Sequence, residues 1–241
     1  MKKSVMLGLV LLMAASLNAQ WGKKIKGNGN VVTEERSTGD YGSVSISGFF
    51  DVTLIDGSEG ELTLKGEENL LEHIVTEVKN GNLVVKVENG VNLSPSSWKD
   101  GISITIPVES IDGLTLSGSG DIVSKKTLES SDFRTDISGS GNIVLTVKAE
   151  TISANISGSG DMELSGYANN LEVSVSGSGN VKAYGLEAQN VNANISGSAD
   201  MQVTATESIK ARVSGSGDIS YRGNPKKIDT KSSGSGDVSK G

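Results

Sequence analysis

Aliphatic and polar residues alternate in LEVSVSGSGNVKA (Leu171 to Ala183), VNANISGSADMQV (Val191 to Val203) and IKARVSGSGDISY (Ile209 to Tyr221). A period of two is the mark of a strand with one buried face. Helical spacing fits none of the three. Carried through one copy, Leu171, Val173, Val175, Gly177, Gly179, Val181 and Ala183 point inward. Ser174, Ser176, Ser178 and Asn180 point outward. The two glycines therefore fall on the inner side, where a side chain would obstruct a bend or a close backbone contact.

The same hexapeptide closes each strand. SGSGDI starts at Ser117 and returns as SGSGNI (Ser138), SGSGDM (Ser157), SGSGNV (Ser176), SGSADM (Ser196), SGSGDI (Ser214) and SGSGDV (Ser233). The steps are 21, 19, 19, 20, 18 and 19 residues. A fixed period of this size marks a repeat architecture. Polar or glycine-containing segments such as GYANN, GLEAQN and GNPKK signal a second bend in each period. The pattern predicts an all-β fold, a right-handed β-solenoid with coils of about 19 residues, each pairing with the next at about 4.8 Å. An antiparallel sandwich is the competing fold. It would need tight hairpin signals every 8 to 12 residues, and the repeats contain no Asn-Gly turn.

In a solenoid the motif positions stack in columns. The motif serines form one column, and Asp121, Asn142, Asp161, Asn180, Asp200, Asp218 and Asp237 form an outward ladder. Ile122, Ile143, Met162, Val181, Met201, Ile219 and Val238 fill the core beneath. Placing Asn between acids moves the charges apart to about 10 Å, near the Debye length. Asn can also hydrogen-bond along the column. The three consecutive acids at the end mark either a tolerated cost or a bound cation such as calcium. Paired carboxylates on a β-helical scaffold also suit a polysaccharide-processing enzyme, whose cleft would need aromatics nearby. Tyr167, Tyr184 and Tyr221 are candidates for such a strip. The ladder's first reading is structural, with a weak cation or ligand contact second.

The N-terminal part is less regular. YGSVSISGFFDVTL (Tyr41 to Leu54) is the strand and motif again, with Phe49 and Phe50 in place of Ser-Gly. A strand at Glu61 to Lys65, a helical turn around Asn69 to His73 and a hairpin through Asn80-Gly81 follow. The expected organisation is a signal peptide at 1–19, a lead segment at 20–40, and one solenoid domain at 41–241, irregular over 41–110 and regular over 111–241. The signal peptide rests on Lys2 and Lys3, the apolar run from Val5 to Leu17 and the small residue Ala19. Past Ala19 no stretch is apolar enough to cross a bilayer as a helix. The protein is thus expected to be exported to the periplasm, outer-membrane surface or exterior.

Removing Lys2 and Lys3 leaves 20 basic against 29 acidic residues, a balance of −9. That acidity argues against nucleic acid and anionic lipid as partners. The chain has no cysteine, so neither disulfides nor thiol chemistry enter. His73 is the single histidine, which makes a metal centre built on histidine and cysteine untenable. No Gly-x-Ser-x-Gly at a strand-to-helix turn supports a nucleophilic serine. Lys226, Lys227, Lys231 and Lys240 gather near the last copy and read as charged blocking of a sheet edge.

SISGFFDVTL, ENLLEHIVTEVKNGNLVV and the serial SGSGDI/SGSGNI copies resemble the head GIN domain family of auto-transporter adhesins. This is a domain of unknown function in exported proteins of Bacteroidetes-type bacteria. The resemblance runs from Tyr41 to the C-terminus. It implies a β-helical fold, a cell-surface or periplasmic setting and an adhesive role, and it brings no catalytic residues. The expected function is a non-enzymatic adhesive or ligand-binding module whose partner is a surface glycan or protein, with an envelope scaffold without external ligand as a further alternative. No segment reads as the ~10-residue strands of a membrane barrel, so an adhesin head without its own barrel is expected.

Overall fold

The structure, a computed structural model, describes residues 22–97 and 101–241. The segment read as a signal peptide lies outside them. The N-terminal strands are β1 (Lys23–Lys26), β2 (Val31–Ser37), β3 (Ser43–Gly48), β4 (Asp51–Asp56) and β5 (Glu61–Glu67). A single helical turn, α1 (Glu68–Leu71), leads to β6 (Ile74–Lys79), β7 (Asn82–Val87), β8 (Val91–Ser94) and β9 (Ser103–Val108). The repeats supply β10 (Gly113–Gly118), β11 (Asp121–Gly139), β12 (Asn142–Gly158), β13 (Met162–Gly177), β14 (Val181–Gly197) and β15 (Met201–Gly215). The last coil is β16 (Ile219–Arg222), β17 (Lys227–Gly234) and β18 (Val238–Lys240).

From β10 to β18 every pairing is parallel and each coil lies on the one before it, β16 and β17 both on β15 and β18 on β16, as a β-solenoid requires. Alternation decides the faces. In β12 the residues Ile143, Leu145, Val147, Ile152, Ala154 and Ile156 are buried, and the residues that alternate with them face outward, polar except for Val144. The predicted inward column from Ile122 to Ile219 is fully buried, and Val238 packs at its edge.

Unequal coil lengths are absorbed at one place. Register shifts fall between Val123 and Thr127, between Glu163 and Ser165, and between Ala183 and Asn190. None falls at the Ser-Gly corner. Its backbone bonds recur from coil to coil, with Ser140, Ser159, Ser178, Ser198, Ser216 and Ser235 each donating to a glycine carbonyl one coil earlier. The corner thus fixes the stacking, and insertions are tolerated only on the far side.

The first coil is β3 and β4, which pair with β10 and β11 although about 60 residues intervene. The intervening segment folds back over that coil. β7 pairs with β3 and β9 pairs with β4, while β6, β5 and β2 add antiparallel strands beyond them. The hairpin joining β6 to β7 turns at Asn80 (φ 52°) and Gly81 (φ 75°), as the Asn-Gly pair predicts. This antiparallel layer covers the N-terminal end of the stack.

Glu67 locks the lead segment to the body. The residue is 2 % exposed, and its carboxylate accepts the amides of Gly29 and Ser96, at 2.5 and 2.8 Å. Burial alone would raise its pKa, but the bonds from Ser96 and Gly29 outweigh it and hold the carboxyl below its ordinary value. A depressed folded pKa stabilises the fold above the unfolded value and loses that contribution as pH falls through the folded one. Glu67→Gln should therefore cost about 2 kcal/mol at neutral pH. The gap in melting temperature between Glu67→Gln and the wild type should close below about pH 4. A gap that persists at acid pH would mean the carboxylate's charge is not what holds the segment.

Candidate ligand-contact face

The motif corner presents three polar columns. Registered pairing places Ser47, Ser117, Ser138, Ser157, Ser176, Ser196, Ser214 and Ser233 one above another. Seven of the eight are exposed, and Ser117 is half-buried. Beside them run the second motif serines, and then the Asp/Asn ladder.

The ladder is held by side chain to backbone bonds. The Oδ1 of Asn142 accepts the Asp161 amide at 3.1 Å, and that of Asp161 accepts the Asn180 amide at 2.8 Å. Asn180 does the same for Asp200 (3.0 Å), Asp200 for Asp218 (3.2 Å), and Asp218 for Asp237 (2.8 Å). The side-chain oxygen thus supplies an acceptor at the bend, where the strand ladder is interrupted. Asp and Asn both carry that oxygen, so either serves. Where Asn occurs, its Nδ2 also donates to the acid below, Asn142 to Asp121 at 2.8 Å and Asn180 to Asp161 at 3.0 Å. Three successive acids are tolerated at the end because Asp200 and Asp218 each still accept the amide of the next coil.

These distances predict an acceptor test. Asp161→Asn should change the melting temperature by under about 1 °C, while Asp161→Ala should lower it by about 2–4 °C for the loss of roughly 1 kcal/mol. Millimolar calcium or EDTA should leave all three melting curves in place. A calcium-dependent rise of several degrees in the wild type would mean that the ladder holds a cation. Among the described residues no cluster of three or more His, Asp or Glu is placed to hold a metal ion.

Two residues before the serine column lies another outward column, Asp136, Asn155, Ser174, Asn194, Arg212 and Lys231. Between the two columns runs a trench of about 460 Å³, lined by Ser174, Asn194 and Arg212 on one side and Ser176, Ser196 and Ser214 on the other. Val175, Ile195 and Val213 contribute to its floor. Arg212 and Lys231 bring positive charge to the end nearest the last coil. Arg212 donates to the Asp229 carbonyl at 2.8 Å and to its Oδ2 at 2.5 Å. Those bonds hold the Asp229 carboxyl below its ordinary pKa.

A family model described as "Putative auto-transporter adhesin, head GIN domain" matches residues 40–225. The chain belongs to this family. Among solved structures, a putative lipid binding protein from Parabacteroides distasonis is 27 % identical, with a TM-score of 0.75 over 91 % of this chain and 100 % of that one. A putative adhesin from Bacteroides fragilis is 24 % identical, with a TM-score of 0.82 over 90 % of this chain and 99 % of that one. A putative adhesin from Parabacteroides merdae is 20 % identical, with a TM-score of 0.72 over 91 % and 99 %. The last two share the fold. No curated protein matches the chain.

In this head GIN domain the ladder extends one step further than the motif copies indicate. Asp51 lies in the coil below Asp121, and its carboxyl is raised by burial first and by the Asp121 charge second, partly offset by a bond from the Asp121 backbone. The signal was the fifth position of SGFFD, hidden by the two phenylalanines. The tyrosine strip does not form. Tyr167 registers with Lys148 and Glu187, Tyr221 falls on the inward parity beside Val203, and Tyr184 lies where the register shifts. Tyr184 instead lies under the Arg222 guanidinium at 3.9 Å. His73 pairs with Glu88 at 2.9 Å on the surface. No helix among the described residues is long and apolar enough to cross a membrane.

Proposed function

We propose that this protein is an exported, non-enzymatic contact module that holds a cell-surface glycan or protein along its motif face. The observation that carries this reading is the serine column, exposed along the stack and flanked by a trench. A row of hydroxyls at about 4.8 Å spacing matches an extended polymer, whose groups also repeat. The corner bonds make the row rigid, which reduces the entropy lost on binding. The family description supports the adhesive reading.

The test is binding of residues 20–241 to whole envelopes and to immobilised surface polysaccharide. Ser196→Arg, which fills the trench without touching the core, should weaken binding by at least about tenfold at an unchanged melting temperature. Binding that survives Ser196→Arg would move the site off this face. Hydrolysis of the polysaccharide would replace the reading with an enzyme.

A second reading is favoured by the cationic end of the trench, a local exception to the acidity of the chain. An anionic amphiphile would lie along the trench with its head at Arg212 and Lys231. The relative from Parabacteroides distasonis carries a lipid-binding description. Vesicles of phosphatidylglycerol, compared with phosphatidylcholine, separate this reading from the first.

A further inference from the structure

The last coil leaves an edge that no described residue pairs. All eight residues of β17 are exposed, and Ile228 is 54 % exposed, the highest among the exposed large hydrophobic residues. Ile228 ends a buried column in which Phe133, Ile152, Leu171, Val191 and Ile209 stack in register. The next inward positions have turned polar. Thr230 follows Ala211 and Ser232 follows Val213 in their columns. The end of the stack is therefore closed with polar residues everywhere along β17 except at Ile228.

We propose that the free edge of β17 pairs with β17 of a second copy of this chain, antiparallel, about a two-fold axis at Ile228. An isologous contact of this kind is closed, so it stops at two copies. The sequence Lys227-Ile228-Asp229 is self-complementary in that register. Ile228 meets Ile228 of the partner subunit, which continues the apolar column through the junction. Lys227 meets Asp229 of the partner subunit, and Asp229 meets Lys227 of the partner subunit. Asp229 uses Oδ2 on Arg212 and can offer its other oxygen across the axis. Charges that would block pairing with an unrelated strand thus favour pairing with their own copy. Pro225 limits how far the strands can run past the axis, and Lys226 is held back by Glu207 at 3.1 Å.

The chain has no cysteine, which makes a cross-linking test clean. Residues directly opposite in an antiparallel pair have Cα atoms about 4.5–5.5 Å apart, within disulfide reach. The exported chain should sediment as a dimer at tens of micromolar. Ile228→Cys should give a covalent dimer under mild oxidation, and Thr230→Cys, which faces Lys226 of the partner subunit in this register, should stay largely monomeric on a denaturing gel. Ile228→Lys should sediment as a monomer and melt where the wild type melts when diluted to its own monomer. A wild type that stays monomeric at every concentration overturns the proposal. So do cross-linking at Thr230→Cys instead of Ile228→Cys, and open-ended polymers, which would mean head-to-tail pairing.

Discussion

Replacing Phe50 with glycine, the residue that most copies of the motif carry at that position, should destabilise the protein by about 4–5 kcal/mol. Phe50 is fully buried and stacks beneath Gly120, whose added Cβ would lie 2.0 Å from the Phe50 carbonyl oxygen. In later coils the inner space at this position is already filled by the neighbouring backbone. At the first coil the core widens, because the folded-back segment brings Leu62, Leu64, Leu70 and Leu71 into it. Phe50 belongs to that wider core, with the Phe49 ring 5.5 Å away. Deleting a buried phenylalanine ring costs about 3–5 kcal/mol, and the backbone freedom that glycine brings to the bend between β3 and β4 adds about 0.5–1. The melting temperature should fall by about 10 °C or more. Urea denaturation gives the free energy directly; a loss under about 2 kcal/mol would mean that the coil collapses to fill the space.

Gly158→Ala should cost about 3 kcal/mol, and Gly160→Ala, two residues away in the same motif, distinctly less. Gly158 has φ 132°, and a Cβ there would lie 2.2 Å from the Gly139 carbonyl oxygen. The conformation costs an L-residue about 1–2 kcal/mol, and forced backbone displacement adds about 1–3. Gly160 has ordinary φ and meets only the second obstacle, the Gly141 carbonyl oxygen at 2.1 Å. The chain carries a natural control, since Ala199 occupies the same position in the fifth copy and is fully buried. Every copy keeps the first glycine, while the second becomes Phe50 in the first coil and Ala199 in the sixth. Thermal unfolding of the two variants side by side checks the order. Equal losses would mean that crowding, and not the sign of φ, governs the corner.

The solenoid was legible because its signal is local and repeated. Alternation within each strand separates inward from outward residues without reference to any partner, and the period places identical residues in one column. Ile122 through Ile219 could therefore be assigned to the core, and the motif serines to a single face, from the chain alone. The hairpin at Asn80-Gly81 was legible for a related reason, since two adjacent residues determine its turn.

What the tertiary structure decided depends on register between coils. Tyr184 follows the alternation yet leaves its expected column, because its own strand carries one extra residue between Lys182 and Gly185, opposite Glu163 and Ser165, which slips the pairing by one. Asp51 joins the ladder only because the intervening segment folds back and lets β4 lie against β11. The acceptor role of Asp and Asn rests on an oxygen reaching the next coil's amide within 2.8–3.2 Å, a distance that spacing in the sequence does not specify. Side-chain parity is fixed by the backbone of a single strand, whereas stacking is fixed by contacts between residues about 19 apart or, at the first coil, about 70 apart. The sequence by itself determined which face each residue takes; only the packed stack decided which residue it meets there.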